Sequence, residues 1–153
     1  MASYINEPDI INRIAYWERQ IEGVQNSYGF AQNPDNLVNA QAPAVLHMPA
    51  SFTSQPKAHH NRWQNVITIT SHLFVLQRET KGGTMRFLEN ASMPFLQRWR
   101  NQFQRAEVIQ DLLSLGAQTA WLTNGTYGAG GTLNINGKDW IGCTFTFTFS
   151  ETL

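Results

Sequence analysis

The stretch that decides the fold is GTLNINGKDWIGCTFTFTFS, residues 131–150. Two runs of alternating side chains flank Asn136-Gly137, a dipeptide that favours the type I′ turn of a β-hairpin because both central residues need a positive φ. After this turn, apolar side chains recur at every second position, with glycine and threonines between them. The apolar positions are Ile141, Cys143, Phe145, Phe147 and Phe149. This period of two predicts a strand with one buried face.

The phenylalanine-rich strand cannot remain uncovered. A run of aromatic side chains on an open edge strand favours aggregation. We therefore expect a helix to cover the phenylalanine face of the hairpin. Strands of this chain, or of another copy of it, would cover the two edges.

The composition indicates one domain, residues 1–153, that works in contact with other proteins. A hydrophobic fraction of 42% and an aromatic fraction of 12% suffice for a core. Only 14% of the residues are charged, below the usual quarter, and amides and hydroxyls take their place. Such a surface suits protein–protein contact. A net charge of zero excludes a general attraction to nucleic acid or to anionic membranes.

The sequence also predicts a protein that is made in the cytosol. No apolar run approaches the roughly 20 residues of a membrane span, and the first residues, MASYINEPDI, have no signal-peptide pattern. The single cysteine, Cys143, excludes an internal disulfide framework. Its place on the apolar face of the strand predicts a buried, unreactive thiol.

The remaining periodicities predict a two-layer α+β fold. Residues 8–25 carry an apolar stripe at helical spacing, and residues 63–78 alternate like a long central strand. We expect a second helix over 85–103, with Thr84 as its N-cap and with Pro94 kinking it or starting another helix. Further expectations are a proline-bounded strand at 44–48, an apolar segment at 108–115, a strand at 118–122 and a flexible glycine connector at 124–131. Together they predict an antiparallel or mixed sheet with helices packed on one face and a C-terminal hairpin.

Residues 50–62 lack any regular period and predict a long exposed loop. Loops of more than about 12 residues in compact domains are usually functional or disordered. We therefore interpret this segment as a binding or assembly arm. The candidate contact residues within it are Phe52, Lys57, His59, His60 and Arg62.

No pattern in the sequence indicates catalysis, a metal or a cofactor. His59 and His60 are adjacent, and no carboxylate or cysteine stands at ligand spacing beside them. His72 is expected to be a half-buried packing residue within its strand. The serines lack a nucleophile elbow, and the carboxylates are scattered. The glycines at 128–131 precede a hairpin strand instead of a helix, which makes a poor phosphate site. We predict that the chain is not an enzyme.

One basic and aromatic patch allows two interpretations. Arg98 and Arg100 flank Trp99, and such a group can contact phosphates or stack on bases. Alternatively, Trp99 lies in the core while the arginines face solvent or a neighbouring subunit, and the neutral chain favours this second interpretation. Tyr127 and Trp140 are further candidates for exposed contact residues. With Trp63, Trp121 and the arginine patch, they keep open a small module that binds nucleic acid or carbohydrate.

The order of elements resembles one known family. The amphipathic helix at 8–25 is followed by a strand between Pro43 and Pro49, a polar loop, the strand VITITSHLFVLQR (66–78) and a helix. The end of the chain, YGAGGTLNINGKDWIGCTFTFTFSETL (127–153), carries the closest likeness: a Tyr-Gly loop, a tight hairpin and a terminal alternating strand. In this order, these features resemble the tail-terminator (tail-completion, neck) proteins of long-tailed bacteriophages.

The resemblance implies a ring, commonly of six copies, on the end of the tail tube. Such a ring stops growth of the tube and offers a surface to the head–tail connector, while genomic DNA passes through its lumen without sequence-specific binding. The implied partners are other copies of the chain, the tail tube protein and the connector. The implied place is the neck of the virion, after assembly in the host cytoplasm. Another neck or head-completion protein, or the tail tube subunit, is the alternative within the same class.

Overall fold

The computed structural model describes residues 5–57, 62–77 and 85–153. In this part of the chain there are three α-helices and one sheet of five strands, in the order β1-β2-β3-β5-β4. Strand β1 pairs parallel with β2, and all other pairs are antiparallel. The elements are α1 (Glu7–Glu18), β1 (Asn26–Ser27), a 3₁₀ turn (Asn39–Gln41), β2 (Ala44–Lys57), β3 (Arg62–Gln77), α2 (Met85–Phe103), α3 (Ala106–Leu113), β4 (Thr119–Ile135) and β5 (Lys138–Thr152). The predicted α+β class, mixed sheet and C-terminal hairpin are confirmed.

The phenylalanine face of β5 is covered by α2, as predicted. Trp99 stacks on Phe145, with ring centroids 4.4 Å apart and planes 3° apart. One helical turn further on, the ring of Phe103 meets Phe147 edge-on at 4.7 Å. The β4–β5 turn has positive φ at both Asn136 (52°) and Gly137 (78°), as its sequence requires. All three helices contribute to this one core.

Helix α2 has the predicted bounds, Met85 to Phe103, whereas α1 is shorter than predicted. Helix α1 ends at Glu18 instead of residue 25, because the next hydrogen bonds are of the tighter i→i−3 kind and Gly23 follows at φ 89°. Ile21 still packs in the core. Helix α2 continues through Pro94, so that no new helix begins there. The predicted cap Thr84 lies outside the described residues.

The prediction of a loop over 50–62 is wrong for residues 50–57 and 62. Strand β2 continues to Lys57, which pairs with Arg62 at the start of β3, and one bulge falls between Met48 and Ser51. Pairing with β3 satisfies the backbone hydrogen-bonding groups of this polar segment. The strand therefore forms although its side chains follow no hydrophobic pattern. Its prolines are tolerated because β1 pairs with only two residues of β2, which leaves the rest of β2 on the sheet edge.

The predicted glycine connector at 124–131 is also wrong, and the strand expected at 118–122 is too short. Both belong to β4, which pairs with β5 from Thr119 to Ile135. The register shifts between Leu122 and Asn124 and again between Tyr127 and Thr132. Such bulges add residues to one strand without ending the pairing, and glycine favours them.

A second cluster on the other face of the sheet corrects the prediction for Trp140. Its side chain is fully buried and meets Phe74 edge-on at 5.9 Å, so it cannot be an exposed contact residue. The segment before β2 covers this end of the sheet, with Leu37 at its centre. β3 is therefore apolar on both faces at Leu73 and Phe74, and its predicted central place is confirmed.

Candidate interaction surfaces

Residues Ser51–Lys57 of β2 and Arg62–Val66 of β3 form what we call the β2–β3 arm. Every residue of its β2 half is exposed, so none of the described helices covers either face there. Phe52 and Trp63 are 68% and 51% exposed. The register places Phe52 opposite Ile67, four residues from Trp63, so both aromatic side chains lie on the helix-bearing side of the sheet. The arm thus presents an apolar pair that nothing in the described residues covers.

The arm brings together three of the predicted contact residues. Phe52 is on one strand, and Lys57 faces Arg62 across the pair, which puts two positive charges at its end. His59 and His60 lie outside the described residues. Tyr127 belongs to β4, and its side chain also lies outside the description.

The residues of the arginine–tryptophan patch on α2, Arg98, Trp99 and Arg100, differ in burial. Trp99 is fully buried, which excludes base stacking by its ring. Arg98 already has two partners within the chain. It donates a hydrogen bond to the backbone oxygen of Glu22 (3.1 Å), and its guanidinium lies 5.1 Å from the centroid of the Phe95 ring. Arg100 is exposed and makes no ion pair with any described residue.

Arg100 belongs to a groove between α2 and β4. This groove has a volume of about 920 Å³. It is lined by residues of α2 between Met93 and Arg100, by Gln104 just after that helix, by residues 122–125 of β4 and by Phe145. Gly125 contributes to its shape, since a Cβ there would stand only 3.0 Å from the Phe145 ring. β4 is the last strand of the sheet, so the groove opens along a strand edge.

A buried polar cluster was not predicted. The Glu18 carboxylate, fully buried, accepts hydrogen bonds from His47 Nε2 (2.6 Å), Trp99 Nε1 (2.9 Å) and Ser27 Oγ (3.2 Å). His47 Nδ1 donates to the Tyr28 carbonyl at 2.6 Å. Because both ring nitrogens face acceptor atoms, this arrangement favours the doubly protonated form of the His47 ring.

Charge and burial act in opposite directions on His47. Burial alone would lower its pKa, but the Glu18 carboxylate and the Tyr28 carbonyl outweigh this, and the pKa is raised above 6.5. The pair is closed to solvent, so its role is structural. A sequence signal existed, since Glu18 follows Ile14 by four residues and therefore falls on the apolar stripe of α1.

A second cavity, of about 680 Å³, lies between α1 and α3. Its central carboxylate, Asp111, is already satisfied by Arg13 Nη1 at 2.5 Å and by Trp17 Nε1 at 2.8 Å. These contacts tie the two helices together. We assign the cavity no ligand.

The predictions of a half-buried His72 and a buried Cys143 agree with the structure. Burial, and then the nearby His47, lower the pKa of the half-buried His72, whose Nδ1 lies 3.1 Å from Thr144 Oγ1. Cys143 is buried, and burial raises the pKa of its thiol to about 12. In the described part of the chain, no three metal-ligating side chains of the His, Cys, Asp or Glu type lie together.

No protein-family model matches the sequence, and no curated protein matches it. None of the helices in the described ranges is long and apolar enough to cross a membrane.

Proposed function

We propose that this chain is a structural protein of a bacteriophage virion, a tail terminator that forms a ring, caps the tail tube and joins it to the head–tail connector. The observation that carries the proposal is the β2–β3 arm. It exposes Phe52 and Trp63 on an edge ribbon, although such side chains normally pack against something.

The geometry of the sheet supports assembly by head-to-tail contacts. The arm is at one side of the sheet, and β4 is at the other side. A contact between the arm of one copy and a different surface of the next is heterologous, and heterologous contacts either close into rings or continue as filaments. The weakly charged surface favours such contacts, because little charge has to be desolvated.

The count of six copies, the tail tube and connector as partners, and the place in the virion neck come from the resemblance alone. The neutral chain agrees with a lumen through which DNA passes without being bound by its sequence. The resemblance also implies assembly in the host cytoplasm, and it implies no cofactor.

Electron microscopy of the purified protein, alone and mixed with tail tubes, tests the proposal. We expect rings of uniform diameter, and one ring at the end of each tube. Phe52→Ser with Trp63→Ser should reduce assembly. Tyr16→Ser, a matched change of an aromatic side chain that is 50% exposed on α1, should not.

The alternatives give different images. Long tubes formed by the protein alone would identify a tube subunit. Monomers at high concentration that never associate with tubes, or protein found in the shell or the fibres of the particle, would refute the ring.

A nucleic-acid-binding module remains the second candidate, because Lys57 and Arg62 pair at the end of the arm and the exposed Trp63 is the next residue along the strand. It predicts retention of single-stranded DNA at low salt that falls steeply as salt is added. Arg62→Ala with Trp63→Ala should abolish this retention. Absence of retention at low salt would leave only the structural role.

A further inference from the structure

We infer that the groove between α2 and β4 binds an extended acidic peptide segment of another protein, which adds to the free edge of β4 as a sixth strand. This inference does not rest on the proposed ring. It follows from three properties of the described residues: the state of the two sheet edges, the walls of the groove and its charge.

The edge formed by β2 is protected against strand addition. β1 pairs with Ala44 and Val45, and the next residue along this edge, His47, is held by a side chain instead of a strand. Asn33 donates to the His47 carbonyl at 2.8 Å and accepts from its N–H at 3.4 Å. Further along, Pro49 and Pro56 have no N–H to offer.

The edge formed by β4 has none of these protections. Its 17 residues, Thr119–Ile135, include neither a proline nor a charged side chain. Among the described strands, β4 pairs only with β5. Residues 123–126 are exposed beside the groove. The two bulges of β4 lie on either side of residues 124–127, so the stretch between them keeps a regular register. A regular edge without prolines or charges is a template for another strand.

The groove provides the second half of a strand-binding site. A strand added to β4 would turn alternate side chains towards α2, over the partly exposed Leu96 and Leu122. Met93, 49% exposed, stands at the rim. Gly125 keeps this surface low, because it lets the strand backbone lie against Phe145. A strand edge next to a helix recognises a peptide by main-chain hydrogen bonds and by pockets for alternate side chains.

Charge selects the kind of segment. Arg100 is the only ionisable residue that lines the groove within the described part of the chain. No described carboxylate pairs with it, since α2 from residue 91 to 103 and all of β4 contain no acidic residue. A carboxylate on the added strand would complete this pair, whereas a basic segment would be repelled. The arm of a second copy carries Lys57 and Arg62 and fits less well.

A displayed library of short random peptides, selected on the full-length protein, tests the inference. We expect enrichment of peptides that alternate β-branched with other residues and include Asp or Glu. A synthetic member should bind with a Kd below about 1 mM. Two N-methylated versions, each blocking alternate amides, then test strand addition. Only one of them should lose binding, because an added strand uses every second N–H.

Charge-swapped proteins test the role of Arg100. Arg100→Glu should weaken binding of the acidic peptide about tenfold and strengthen that of its Lys analogue. Arg62→Glu is the matched control, an exposed arginine at the other side of the sheet, and should leave both affinities unchanged.

Four results would contradict the inference. No enrichment over the Arg100→Glu protein, or equal loss with both N-methylated peptides, would overturn the inference. A dimer paired through β4, detected as a β4-dependent shift in gel filtration, would assign the edge to a second copy. Selective binding of DNA over the acidic peptide, lost with Arg100→Glu, would assign Arg100 to phosphate. A failure of ring formation bears on none of these measurements.

Discussion

Replacing Glu18 offers the sharpest check on the buried polar cluster. In Glu18→Ala the side-chain donors of His47 and Trp99 lose their acceptor, and His47 loses the partner that allows it to be charged. Breaking one side of a buried ion pair costs about 3–5 kcal/mol. Domains of this size are stable by about 5–15 kcal/mol. The variant should therefore lose a large share of its stability, and all of it if the native protein is at the lower end of that range.

Glu18→Gln is the informative counterpart. Its amide oxygen can accept from Trp99 Nε1, while its NH₂ donates to Nε2 of a neutral His47 whose Nδ1–H still reaches the Tyr28 carbonyl. Only the bond from Ser27 loses its former geometry. One rearranged hydrogen bond costs about 1 kcal/mol. This variant should fold, with a loss several times smaller than that of Glu18→Ala.

The two forms differ in how stability depends on pH. In the native protein the pKa of His47 is raised above 6.5, so the folded state holds a proton that the unfolded state loses first. The contribution of the pair is complete below pH 6.5 and is lost as pH rises through the folded pKa. With Glu18→Gln, burial keeps His47 neutral and its pKa falls below 6.5. In this variant, the free energy that the buried neutral His47 contributes to folding is lost as pH falls below 6.5.

Urea unfolding from pH 6.5 to about pH 8.5 measures this difference. The free energy of unfolding should decrease with pH in the native protein more steeply than in Glu18→Gln. His72 does not interfere, because its lowered pKa acts below pH 6.5. Equal slopes in the two proteins, or a Glu18→Gln variant as unstable as Glu18→Ala, would refute the reasoning about this cluster.

Three further predictions concern the core. Phe147→Asp should abolish folding, because an unpaired carboxylate in a fully buried position costs several kcal/mol, whereas Thr148→Asp on the opposite face should give a folded protein by circular dichroism. Gly142→Ala should lower the free energy of unfolding, measured with urea, by about 1–3 kcal/mol, because the added Cβ would collide with the Leu73 carbonyl oxygen. An unchanged free energy of unfolding would contradict the β3–β5 packing. Cys143 should resist a thiol reagent at neutral pH until the chain unfolds, and rapid labelling of the native protein would show that its strand face is open.

The hairpin and its covering helix could be predicted because they depend on local patterns. Asn136-Gly137 sets the turn, the period of two in β5 sets the buried face, and helical spacing in α2 brings Trp99 and Phe103 onto it. Each of these signals repeats over a few residues. They therefore survive without knowledge of the rest of the chain.

The candidate surfaces could be predicted only in part. Phe52, Lys57 and Arg62 are exposed as expected, but they lie on paired strands instead of a loop. Cross-strand pairing leaves no hydrophobic signature in a polar segment, so the extension of β2 could not be inferred from residues 50–57. For the same reason, the sequence predicts a strand at 118–122 that is shorter than the observed β4.

The sequence by itself determined which side chains of this protein turn inward on each strand and helix, since that follows from a period of two or of 3.6 residues. Tertiary structure alone decided what meets them. Residues 28–42 fold over one end of the sheet face that carries the β5 threonines, and they bury Trp140 there. Helix α1 and strand β2 bring Glu18 to His47, although these residues are 29 positions apart in the chain. A local period fixes the direction of a side chain, but the partner that covers it comes from a distant part of the chain.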